Sequence, residues 1–76
     1  FGSGATKHFS PSNLEKAVFR YANLYGAKFK GAILKGVDFS YADLTGADFR
    51  DADLTGAKLE GAILHEAQFE GAMLDK

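Results

Sequence analysis

A chain of 76 residues, 46% of them hydrophobic, is enough for one domain, and so small a domain is marginal unless its core is unusually regular. Nine Lys and Arg against ten Asp and Glu leave a net charge of −1, which gives no overall bias toward nucleic acid or a membrane surface. With no cysteine, disulfides and thiolate metal sites are excluded, and no apolar run approaches membrane-spanning length.

Residues 1–11, FGSGATKHFSP, read as an N-terminal tail and cap, without a signal-peptide pattern. A start on Phe followed by GSG has the look of a processed, truncated or engineered end. From Ser12 to Lys76 the chain then runs in fives without an insertion, giving thirteen blocks. A fixed internal period outranks every other sequence signal. The third place of the block is Leu or Phe throughout: Leu14, Phe19, Leu24, Phe29, Leu34, Phe39, Leu44, Phe49, Leu54, Leu59, Leu64, Phe69 and Leu74. The first place is Ser12, then Ala, with Val37 the bulkier exception, and the fifth is often Gly.

A period of five suits neither a helix nor a plain strand. Helices need apolar residues every three or four places and strands every second place. Five residues of helix leave a net rotation of about 140°, so the Leu/Phe stripe would wander around the axis. What fits is a chain that turns a corner once per block. First and third places then point inward on a short extended segment, and a fifth-place Gly sits in the corner, where positive φ carries no Cβ penalty. Stacked coils of this kind form a β-solenoid.

The blocks ADLTG, ADFRD, ADLTG and AKLEG at 42–61 show an A(D/N)LxG pattern that resembles the pentapeptide-repeat family. The resemblance covers residues 12–76 and implies an all-β fold, a right-handed quadrilateral β-helix with four blocks per coil and so about three coils. At roughly 4.8 Å per coil the prism stands about 15 Å tall. Its twenty-residue coil sorts the core into two Leu walls and two Phe walls. Phe9 is in phase with Phe29, Phe49 and Phe69 and is expected to fold over the first coil as a plug. Lys7 holds what would be a small inward place, which sets the expected start of regular coil at Ser12. Ser12-Asn13-Leu14-Glu15 also matches a capping box, with a short helical turn as the competing expectation. Val37 is expected to make one coil bulge or shift a neighbour.

Asp38, Asp43, Asp48 and Asp53 are evenly spaced, but a solenoid puts one on each face, where they diverge and bond nearby turn backbone. His8 and His65 lack partners at ligand spacing, and Ser40 and Thr45 stand on different faces. The expectation is therefore no enzyme, no metal and no cofactor. Tyr21 and Tyr41 share a corner place one coil apart and should stack, with Tyr25 on the next face. These three, with Lys28, Lys30 and Arg50, are the candidate partner-binding residues. Residues 1–36 carry Lys7, Lys16, Arg20, Lys28, Lys30 and Lys35 against Glu15, while residues 37–76 carry nine acids against Arg50, Lys58 and Lys76. That makes the halves +5 and −6.

The expected function is a non-enzymatic structural or protein-interaction module, a rigid scaffold or docking surface for an unidentified protein, with no nucleic-acid or membrane partner. Family resemblance raises the alternative of a DNA-mimic inhibitor of a type II topoisomerase, which short length and near-zero charge disfavour. An excised or designed fragment is a third reading. The resemblance also points to cyanobacteria and the thylakoid lumen as sources. Uncapped solenoid ends carry a further expectation of weak self-association, head to tail with the acid end on the basic end, or through the C-terminal ends.

Overall fold

Each block of five builds one side and one corner of a square coil. The computed structural model describes residues 7–9 and 12–74; the reading of the FGSGAT end lies outside the described residues. Second-place residues bridge in parallel to those twenty positions on: His8 to Lys28, Asn13 to Ile33, Val18 to Asp38, Asn23 to Asp43, and onward to Asp48 with Gln68. Only the pair β1 (Asp53–Leu54) and β2 (Met73–Leu74), parallel and in register, is long enough to count as strand among the described residues. The fold is the right-handed quadrilateral β-helix that the family resemblance implied.

The backbone bonds explain why so little of it looks like conventional sheet. A third-place N–H donates to the second-place carbonyl one coil on, as Leu34 does to Asp53 at 2.8 Å. A second-place N–H donates back to the first-place carbonyl of the preceding coil, as Asp53 does to Ala32 at 3.0 Å. The next residues turn the corner, where a first-place N–H donates to the third-place carbonyl three residues earlier, as Ala47 does to Leu44 at 3.0 Å. Among the described residues positive φ falls on the fifth place alone, the pattern of a type II turn. Lys16, Tyr21, Tyr41, Asp51 and Glu66 adopt it at 60–63° without being glycine. Each of those five bears an unfavourable backbone of about 1–2 kcal/mol, which the ladder on both sides must offset.

Inward places fill the axis completely. Phe9, Phe29, Phe49 and Phe69 stack down one wall at centroid spacings of 4.8, 5.1 and 5.3 Å. Phe19 and Phe39 stack on the opposite wall at 5.5 Å. Rings of the two walls meet edge to face, 5.4 Å apart for Phe29 and Phe39 and 5.7 Å for Phe39 and Phe49. Leu24, Phe29, Leu34, Phe39, Leu44, Phe49 and Leu54 are fully buried, whereas Phe9, Leu14, Phe19, Leu59, Leu64 and Phe69 are half-buried. Burial peaks at mid-height because a central coil is covered from above and below. Each fully buried Leu or Phe contributes about 1.5–3 kcal/mol over exposure.

Four expectations are corrected. Regular pairing includes Lys7–Phe9: Lys28 N–H donates to Lys7 O at 2.7 Å and Phe9 N–H to Lys28 O at 2.8 Å. Phe9 is thus a third-place core residue and not a plug folded over the coil. Lys7 is tolerated at a first place because its ammonium runs outward to Asn23 Oδ1 and Tyr25 O, 3.4 Å from each. The capping-box reading gives way to a turn, in which Asn13 Oδ1 accepts the Glu15 N–H at 3.1 Å, and the described residues contain no helix. Val37 produces no bulge: it is fully buried, and the bonds beside it, Asp38 N to Ala17 O and Lys58 N to Val37 O, measure 2.9 and 2.8 Å.

Candidate functional site

The outward second places carry the residues most suggestive of chemistry, and the turn takes up all of them. Oδ1 of Asp38, Asp43, Asp48 and Asp53 accepts the N–H two residues on, from Ser40 at 2.9 Å and from Thr45, Arg50 and Thr55 at 3.1 Å. Asn23 does the same for Tyr25 at 3.2 Å. Hydroxyls add to this: Thr45 and Thr55 donate Oγ1–H to the same oxygens at 2.6 and 2.7 Å. Hydrogen bonds from the Thr45 and Thr55 hydroxyls and N–H groups hold Asp43 and Asp53 below the usual carboxylate range, and those from Ser40 do so for Asp38. Such acids stay ionised and satisfied in place, as expected from their spacing. Among the described residues no group of three or more His, Cys, Asp or Glu could hold a metal ion, and no helix is long and apolar enough to cross a membrane.

Asp48 departs from its neighbours. It is only 6% exposed, because the Arg50 side chain folds back over it. Arg50 Nε donates to Oδ1 at 2.9 Å and Nη2 to Oδ2 at 2.8 Å, a two-pronged pair on top of the backbone bond. The Arg50 bonds lower the Asp48 pKa to about 2. Arg50 is therefore engaged with its own block.

The six candidate residues do not form one surface. Tyr21 and Tyr41 stack as expected, 5.1 Å apart and 11° from parallel, at the corner that closes their shared side. Tyr25 stands on the next corner, its carbonyl beside Lys7 Nζ. Lys30 follows Arg20 by ten residues, half of a twenty-residue coil, so Lys30 and Arg50 occupy the corner diagonal to the tyrosines. Lys28 lies on the side leading to that diagonal corner.

Arg20 was missing from the candidates and belongs at the tyrosine corner. Its guanidinium carbon lies 5.5 Å from both ring centroids, and Nη1 reaches Asp38 Oδ2 at 3.5 Å. The available signal was its position directly before Tyr21 and one coil above Asp38 on the same side. Of the outward apolar residues, Val18, Ile33, Ile63 and Met73, none bridges directly to another. They are single exposures, as the spacing suggested.

Coils of four sides, closed by type II corners around a Leu and Phe axis, define a β-solenoid whose chemistry is confined to its outer surface. Residues 9–63 match the family model for pentapeptide repeats (9 copies), and residues 52–76 match a second for pentapeptide repeats (8 copies). The chain belongs to the pentapeptide-repeat family. HetL, involved in heterocyst differentiation regulation in the cyanobacterium Nostoc sp. strain PCC 7120, is similar at 42% identity over 86% of this chain and 30% of its own, with a TM-score of 0.78. Rfr23 from the cyanobacterium Cyanothece 51142 is similar at 32% identity over 91% of this chain and 47% of its own, with a TM-score of 0.88. Full-length QnrB1, a plasmid-mediated fluoroquinolone resistance protein, is similar at 29% identity over 91% of this chain and 37% of its own, with a TM-score of 0.57. The chain thus spans less than half the length of each. No curated protein matches it.

Proposed function

We propose that this chain is a non-enzymatic protein-interaction module, a rigid solenoid that presents docking surfaces on its sides. The observation that carries this reading is the diversion of every second-place Asp among residues 38–53 into its own turn. Catalysis needs functional groups that converge, and these point away from one another on four sides. What the surface offers instead is an aromatic corner at Tyr21 and Tyr41 and a lysine-bearing corner at Lys30, on a frame held by a continuous ladder.

A DNA-mimic inhibitor of a type II topoisomerase would need acid along the whole side of the rod. Residues 7–36 carry six cations against Glu15 alone, which runs against that reading.

The test is a pair of surface variants used as bait in the source cells beside the native chain. One is Tyr21→Ala/Tyr25→Ala/Tyr41→Ala and the other Lys28→Glu/Lys30→Glu. A partner that cross-links to the native chain and is lost from one variant, with melting unchanged, supports docking through that corner. Partners retained by both variants would remove these residues from any docking role.

A further inference from the structure

We infer that the corner bearing Arg20, Tyr21, Ser40, Tyr41 and Glu60 pairs with the same corner of a second copy, the two solenoids side by side and antiparallel. The fourth-place column there reads Arg20, Ser40, Glu60 down the axis, a cation and an anion one coil either side of a neutral centre. A two-fold axis at the height of Ser40, itself buried, sets Arg20 of each copy, which stays 44% exposed beside Asp38, opposite Glu60 of the other, so the match is made twice. Self-complementarity of this kind is what an isologous contact requires.

Two other corners match only about an axis between coils, Glu15 against Lys35 and Arg50 against Glu70, and Arg50 is already held by Asp48 in a two-pronged pair. Neither of those corners carries the stacked tyrosines. Tyr25, Thr45 and His65 carry no opposed charges. The whole molecule agrees with the same orientation, because antiparallel packing lays each +5 half beside a −6 half.

Apolar surface collects at this corner as well. Tyr21 is 70% exposed and Tyr41 43%, with exposed Val18 on the adjoining side. Gly61, next in the fifth-place column, has no side chain to stand beside the Tyr41 ring. Asp38 would approach its own copy near the axis. Its carboxylate is 17% exposed and already bonded to Ser40 N–H and Arg20, which mutes that repulsion. The contact is an edge of a molecule exposing 4483 Å² in all. Covering about a tenth of that on each copy falls below the roughly 1,200 Å² total of stable interfaces, so the dimer is a concentration-dependent one. The contact uses a side edge and is distinct from any pairing of solenoid ends.

Sedimentation of the 76-residue chain from micromolar to millimolar concentration, at low and high salt, tests the pairing. The expected result is a monomer–dimer equilibrium that weakens with salt. R20E and E60R should each weaken it at least tenfold, while circular dichroism melting shows both still folded. The double variant R20E/E60R should regain the dimer, and an equimolar mixture of R20E with E60R should form a mixed dimer. A native chain that stays monomeric at millimolar concentration and low salt overturns the inference. So does dimerisation that either single variant leaves intact, or a double variant that fails to recover. Such a failure leaves docking to a different protein, tested separately above, untouched.

Discussion

The Tyr41 ring occupies the space into which any side chain on Gly61 would grow. A β-carbon at Gly61 meets Tyr41 Cδ1 and Cε1 closer than non-bonded atoms can approach, while one at Gly46 meets nothing within 4 Å. Both glycines sit at the same φ of +68°. Gly46→Ala therefore isolates the backbone term, about 1–2 kcal/mol. Gly61→Ala adds displacement of the ring and should cost visibly more. In a Tyr41→Ala background the extra cost should vanish. Chemical denaturation of the four-variant cycle, with Gly46→Ala as reference, reads the coupling directly. Equal costs for Gly46→Ala and Gly61→Ala would show that the ring swings aside freely.

Position along the axis should set the cost of truncating a core ring. Phe49 is fully buried between Phe29 and Phe69 in its column, whereas Phe69 is half-buried with a ring on one side. Phe49→Ala should lose about 3–5 kcal/mol. Phe69→Ala should lose clearly less, because part of its surface is already wet. Urea melts of the two variants give the comparison, and a larger loss at Phe69 would contradict the burial gradient.

The turn bonds make a narrower prediction at Asp53. Its Oδ1 accepts from both Thr55 N–H and Thr55 Oγ1–H. Asparagine keeps an oxygen at that point, so Asp53→Asn should stay within about 0.5 kcal/mol of native. Asp53→Ala leaves the Thr55 N–H without its acceptor and should cost about 1 kcal/mol or somewhat more. If melting cannot separate the two variants, the side-chain oxygen contributes nothing at this corner.

How much of this was legible in the sequence depends on the residue. Third-place Leu and Phe assign themselves, because a strict period leaves them no other place to go. Tyr21 on Tyr41 follows from the same twenty-residue repeat. Lys7 misled because composition at a first place says inward, while a long side chain on the outermost described coil has room to leave. The six candidate surface residues were drawn together by type, and only the corner assignment separates Lys30 and Arg50 from the tyrosines. Asp48 read as a surface acid like Asp43. Its burial depends on which way the Arg50 side chain turns, a rotamer choice that spacing does not encode.

That choice gives Asp48 a measurable signature in acid. Bonds from the Arg50 side chain outweigh the opposing effect of burial and bring its pKa from an ordinary 3.8 to about 2. The folded protein thus gives up this proton more readily than the unfolded chain does. Stability from Asp48 is present in full above about pH 4 and is lost as pH falls through about 2. Asp38, Asp43 and Asp53 shift in the same direction, so the native chain as a whole should melt earlier in acid. Asp48→Asn removes one titrating group and should flatten the fall in melting temperature between pH 5 and pH 2. It should also lower stability at pH 7, since the Arg50 guanidinium loses its charged partner. Arg50→Met leaves Asp48 in place without the two-pronged pair. The Asp48 carboxyl resonance should then titrate nearer its ordinary value, while the Asp43 midpoint, held by Thr45, stays where it was. A midpoint for Asp48 that Arg50→Met does not move would mean that the guanidinium is not what holds the carboxylate down.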